Sequence, residues 1–178
     1  MADFATVAEL ETFMGNPSGT LGARGTAMLT HASAAIRLHC QQDLEQTAGR
    51  QEEFAGDDHA VLLFLSQRPV TAVSAITVAA VAFAEYEWSR WGTIERNDEG
   101  AWDEGPILVT YDSGYAAASD EMAGIKTVCL EVAARALAGP VTDTFGPEIP
   151  ELRGATPNLF LTEEEKNLLA SYAPVLVG

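Results

Sequence analysis

The sequence predicts an α+β fold, a helical bundle with an inserted antiparallel β-hairpin or small sheet. Two patterns carry this reading. Near both ends, apolar residues recur at the three- and four-residue steps of a single helical face. Between about 60 and 111 they fall instead into short β-branched runs broken by turn signals. A chain of 178 residues, 47% of them hydrophobic, can bury one sizeable core, so one domain spanning 1–178 is expected.

Thr6 and Glu9 stand at capping-box spacing ahead of Val7, Leu10 and Met14, with Gly15 as a stop. They predict a first helix over 6–14. Leu29, Ala32, Ile36, Cys40 and Leu44 continue one apolar stripe, which predicts a longer helix over 26–48 closed by Gly49. Arg50 to His59 is polar and reads as a loop with room for a short strand near Phe54. The β insertion, 60–111, follows. Ala60 to Leu65 and Val70 to Val78 read as strands around a Gln67-Arg68-Pro69 turn. Tyr86-Glu87-Trp88 and Gly92-Thr93-Ile94 read as two arms of a hairpin. Asn97 to Gly105 is an acidic connector, and Ile107 to Tyr111 is a further strand.

A third helix is predicted over 119–138, with Ile125, Val128, Cys129, Val132, Ala136 and Leu137 on one face and Gly139-Pro140 as its end. Pro147, Pro150 and Pro157 then predict an extended arm over 141–161. Thr162 caps a last helix, 162–172, whose Glu163, Glu164 and Glu165 suit the positive end of a helix dipole, and Pro174 ends it.

Charge excludes one class of partner. A net charge of −16 with only 10 basic residues leaves no cluster able to neutralise phosphates, so nucleic acid is not gripped. The same acidity repels DNA that runs past the chain. Cys40 and Cys129 lie in apolar helical patterns and read as buried, reduced thiols. Met1-Ala2-Asp3-Phe4 opens no basic-then-apolar leader, and the apolar run Val70 to Ala84 is too short for a membrane helix. Residence in a reducing cytoplasm, away from membranes, is the expectation.

The search for chemistry yields little. His31 and His39 are two helical turns apart, too far for a shared metal. Asp57-Asp58-His59 supplies ligand chemistry, but adjacent residues rarely converge on one ion, and a solvated loop explains them. Cys40 and Cys129 would act as nucleophiles only with a base beside them to lower the thiol pKa, and their apolar helical neighbours argue for inert burial. Ser113 lacks the glycine two residues earlier that a nucleophile elbow needs. With 26 carboxylates, a pair at glycosidase distance arises by chance. Trp88, Trp91 and Trp102 with Tyr86 could stack on bases or sugars, but packing or a protein interface fits the acidic chain better. No catalytic residue, cofactor or metal is expected. The candidate interface residues are Trp88, Trp91, Trp102, Tyr172, Val175 and Leu176.

Several strings, in their order, resemble the head-to-tail adaptor, or head-completion, proteins of tailed bacteriophages. Gln67-Arg68-Pro69-Val70-Thr71-Ala72-Val73 with Ile76-Thr77-Val78 is similar to that family's turn and strand, and Glu85 through Gly92 to its second hairpin. Val109-Thr110-Tyr111-Asp112-Ser113-Gly114-Tyr115 resembles the strand and turn before its longest C-terminal helix. Ile125-Lys126 through Gly139-Pro140 resembles that helix, and Leu161 through Lys166 the last one. The similarity covers most of 1–172. The apolar Ser171 to Gly178 departs from the basic, Tyr-Arg-rich tail that such proteins often carry.

The resemblance implies a non-enzymatic virion protein of the neck, assembled in the host cytoplasm as a dodecameric ring. Its implied partners are further copies of itself, the portal protein, and the next stopper or tail-terminator protein. Double-stranded DNA would pass through the ring without specific binding, and the Pro-containing arm would reach a neighbour. Three other readings compete: another neck or tail-completion protein, a small acidic hydrolase, and an acidic nucleic-acid mimic.

Overall fold

The computed structural model describes residues 2–56, 61–97, 100–102, 105–138 and 160–173. The fold is mixed α+β, with four α-helices and two small antiparallel sheets among the described residues. It divides into a helical unit, Met1–His39 with Ala123–Ser171, and a β unit, Cys40–Met122 with Tyr172–Gly178.

In the helical unit, α1 is Val7–Met14 and begins with the predicted capping box. The Thr6 hydroxyl accepts from Glu9 N, and the Glu9 carboxylate accepts from Thr6 N at 2.7 Å. Gly15 ends it at φ 69°, a left-handed position that glycine adopts without a Cβ penalty. α2, Gly22–Cys40, starts where the buried Glu11 carboxylate accepts the amides of Gly19 at 2.8 Å and Leu21 at 2.9 Å. Those amides, Leu21 first, hold Glu11 below the usual carboxylate range.

α3, Asp120–Ala138, and α4, Glu163–Leu169, complete the helices, with a 3₁₀ turn at Ala170–Tyr172. Thr162 and Glu165 form a second capping box. The predicted stripes are the buried ones: Leu29, Ala32 and Ile36 of α2, and Ile125, Val128, Cys129, Val132 and Ala136 of α3.

The second helix stops eight residues before its predicted end at Ala48. Gln41 turns left-handed at φ 52°, and Leu44, although fully buried as its stripe requires, lies beyond the helix. The expected loop from Arg50 to His59 is instead a ten-residue strand, β1, Thr47–Gly56. Its polar composition is that of an edge strand, which needs charges to discourage further pairing. Gly49, expected as a helix stop, sits at φ 67° in the bulge between Thr47 and Arg50. The insertion therefore runs from Thr47 to Ser113, not from 60 to 111.

The remaining strands are β2 Leu62–Phe64, β3 Val70–Val78, β4 Val81–Phe83, β5 Tyr86–Trp88, β6 Thr93–Arg96 and β7 Gly105–Ser113. One sheet has the order β1-β7-β3-β4 and the other β2-β6-β5. β7 buries every second residue, Ile107, Val109, Tyr111 and Ser113, as one inward face of a strand must. Ile107, Val109 and Tyr111 form one core with Leu63 and Ile94 from the smaller sheet. β4 was not anticipated: its turn, Ala79-Ala80, carries no glycine or asparagine although both residues have positive φ. The predicted arm over 141–161 lies outside the described residues except for Phe160 and Leu161, as do Asp57-Asp58-His59.

Candidate docking surface

No group of three or more His, Cys, Asp or Glu side chains among the described residues could hold a metal ion. His31 is exposed and His39 half-buried on α2. Both thiols are free and buried, and burial pushes Cys40 up to about 11 and Cys129 up as well, away from the thiolate that nucleophilic work requires. Ser113 is fully buried. An open groove of about 600 Å³ runs beside Glu53, Phe54, Gly105 and Pro106, and among the described residues its lining has one carboxylate and no convergent polar set. Among the described residues, no helix is long and apolar enough to cross a membrane.

The aromatic candidates separate. Trp102 is fully buried in the β core, its indole N–H donating to Val61 O at 3.2 Å and its ring edge-on to Phe83 at 5.5 Å. It is therefore a core residue and not a surface one. Its flat ring and polar N–H suit either place, and only the tertiary fold decides between them. Tyr86 packs against the same core. Tyr172 is half-buried, edge-on to Tyr115 at 5.4 Å, and its carbonyl accepts from the Gln42 amide. Val175 and Leu176 lie outside the described residues.

Trp88 and Trp91 remain exposed. Trp88 lies opposite Ile94 on the edge strand of the smaller sheet, where its inward face is only partly covered. Trp91 projects from the β5–β6 turn and is 62% exposed, with the Arg90 guanidinium 5.4 Å from its ring. Sequence reasoning missed the exposed apolar residues beside them. Val61, Leu62 and Phe64 belong to a continuous apolar run that reads simply as a strand, yet among its described residues Leu63 and Leu65 are buried and these three are exposed. The alternation of a strand held on one side by β6 was the available signal.

No family model and no curated protein matches the sequence. Solved structures do. A chain in the neck of an empty gene transfer agent particle, computed with C6 symmetry, is similar at TM-score 0.55 and 18% identity, covering 98% of this chain and 91% of that one. The same values hold for a chain of the native gene transfer agent virion. A chain in the native particle's neck, computed with C12 symmetry, matches at TM-score 0.53 and 16% identity, covering 99% of this chain and 96% of its own. The likeness extends over nearly the full length of both chains, so this chain shares its overall fold with chains of gene transfer agent particles.

Proposed function

We propose that this chain is a non-enzymatic structural protein of a phage-like virion neck, a head-to-tail adaptor whose copies form a ring between portal and tail. The observation that carries the reading is the fold likeness over nearly the full length of both chains. The resemblance of the ordered strings around Arg68-Pro69, the β5–β6 hairpin and Ser113-Gly114 supports it independently. The C6 and C12 symmetries of the neck particles that contain the similar chains favour a cyclic assembly, and a twelve-membered ring is compatible with both.

In that setting the chain's work is done by surfaces. Heterologous contacts between copies close the ring, one rim meets the portal, and the other meets the next stopper or tail-terminator protein. Double-stranded DNA crosses the bore without sticking: carboxylates release no counterions on approach of phosphate, so no bound state is favoured. Assembly takes place in the host cytoplasm and the product resides in the virion.

Deleting the reading frame from its gene cluster is expected to yield filled heads and free tails that fail to join, with joining restored by the supplied protein. Normal particles without it overturn the reading. Cryo-EM of the assembled neck is expected to show acidic side chains lining the channel, and a basic bore would overturn the passage mechanism.

A further inference from the structure

The β5–β6 turn holds an aromatic side chain in solvent on a fixed backbone. Ser89 N donates to Thr93 O and Gly92 N to Ser89 O, both at 2.9 Å, while Leu65 N donates to Gly92 O at 2.8 Å and Val70 N to Arg90 O at 2.9 Å. Trp91 and the exposed Arg90 therefore lose little backbone freedom when a partner covers them, and Trp and Arg are the residue types that anchor interfaces.

A complementary surface lies on the outer face of the same sheet. Register sets Leu62 opposite Glu95 and Glu95 opposite Glu87, all three exposed, with Phe64 further along the same face. Like charges directly opposed across strands destabilise a free chain. Among the described residues, no cation pairs with either carboxylate. The row thus has an apolar half and a negative half that lacks its counter-charge.

We infer that the Arg90–Trp91 turn of one copy docks on the Leu62/Phe64 and Glu87/Glu95 row of a second copy. The indole covers Leu62 and Phe64, and the guanidinium neutralises the opposed carboxylates. Charge complementarity selects the partner: a chain of net charge −16 repels its own kind except where an exposed cation meets an unneutralised acidic row. Turn and row are different surfaces, so the contact is head-to-tail and able to repeat around a ring. The inference rests on the proposed ring and names one of its contacts.

Sedimentation velocity of the purified full-length chain over a wide concentration range tests it. The wild type is expected to self-associate, W91A and R90E each to weaken association by about tenfold or more, and E95R to do the same. All these substitutions are at exposed positions, so melting temperatures should stay within about 2 °C of wild type. The R90E/E95R double variant should recover association, because each contact then pairs a new anion with a new cation. A wild type that stays monomeric throughout, W91A that associates as wild type, or a double variant that recovers nothing would each overturn the inference. Monomeric wild type together with loss of head–tail joining on deletion defeats only this contact. Tip-dependent association together with normal joining on deletion defeats only the neck reading.

Discussion

The hydroxyl of Tyr111 donates to the Glu52 carboxylate at 2.9 Å, so the innermost face of β7 is tied to a charged group on the edge strand β1. The same carboxylate accepts the amide and hydroxyl of Ser66, each at 3.0 Å, which links the larger sheet to the segment that follows β2.

Removing that hydroxyl tests the link. Tyr111→Phe keeps the ring in the core and deletes one charge-assisted hydrogen bond, which should cost about 2 kcal/mol, read as a lower urea midpoint at unchanged slope. Burial, and then Glu52, pushes the Tyr111 phenol from its ordinary 10.0 up to about 12. A raised folded value means that the contribution is complete below the unfolded pKa and is lost as pH climbs from about 10 to about 12. The gap between the two proteins should therefore close across that window. A gap that is constant to the top of it would place the energy elsewhere.

Gly114 is the position that should tolerate least. It has φ 99°, and a Cβ there would sit 2.3 Å from the carbonyl oxygen of Glu45, where the bridge between Glu45 and Tyr115 brings two backbones together. Gly114→Ala should cost about 3 kcal/mol or more, because neither backbone can retreat without losing hydrogen bonds. Gly49 also has a positive φ, 67°, but open space around it, so Gly49→Ala should cost only about 1 kcal/mol. Equal losses in chemical denaturation would refute the crowding argument.

Helices with local signals were legible in the sequence, and strands that depend on remote partners were not. Thr6 with Glu9 and Thr162 with Glu165 announce their helices within four residues, and both boxes form as read. β1 pairs with β7 across 49 to 66 residues of sequence, from Gly56↔Gly105 to Thr47↔Ser113, and has one apolar side chain of any size, Phe54, so nothing local distinguishes it from a loop. Leu44 misled the reading of α2 because its burial is real while its helical conformation is not. At the candidate surface, tryptophan at 88, 91 and 102 was visible as composition. Which of the three faces solvent is decided by tertiary placement, Trp88 on an edge strand, Trp91 in the β5–β6 turn and Trp102 packed in the core, while the unneutralised Glu87/Glu95 pair comes from cross-strand register.

The unexpected β3–β4 hairpin offers a stabilising change. Ala79 and Ala80 hold φ 47° and 65°, the two left-handed positions of a two-residue hairpin turn, where a Cβ is penalised. Replacing them with Asn-Gly should raise stability by about 1 kcal/mol and the melting temperature by about 2–4 °C. A decrease would mean that the alanine methyl groups contribute packing that outweighs their strain.

Acid should loosen the helical unit through one carboxylate. Burial alone would raise the Glu165 pKa, but the Arg135 guanidinium and the Thr162 amide and hydroxyl outweigh it and hold the group below its ordinary 4.5. Arg135 reaches both Glu165 oxygens, at 2.7 and 3.0 Å, and Glu165 is almost wholly buried. Removing one partner strands the other, so Glu165→Ala should cost about 3 kcal/mol and free α4 from α3. A lowered folded pKa gives stability that is present above pH 4.5 and is lost as the pH falls through the folded value. Wild type should therefore lose protection of the α4 amides in hydrogen exchange as the pH drops below that point. Glu165→Gln keeps the shape without the charge and should show weak protection with little further dependence on acid. Identical acid profiles for the two proteins would assign the loss to other carboxylates of the unit, such as Glu9, which pairs with Lys126 at 2.7 Å.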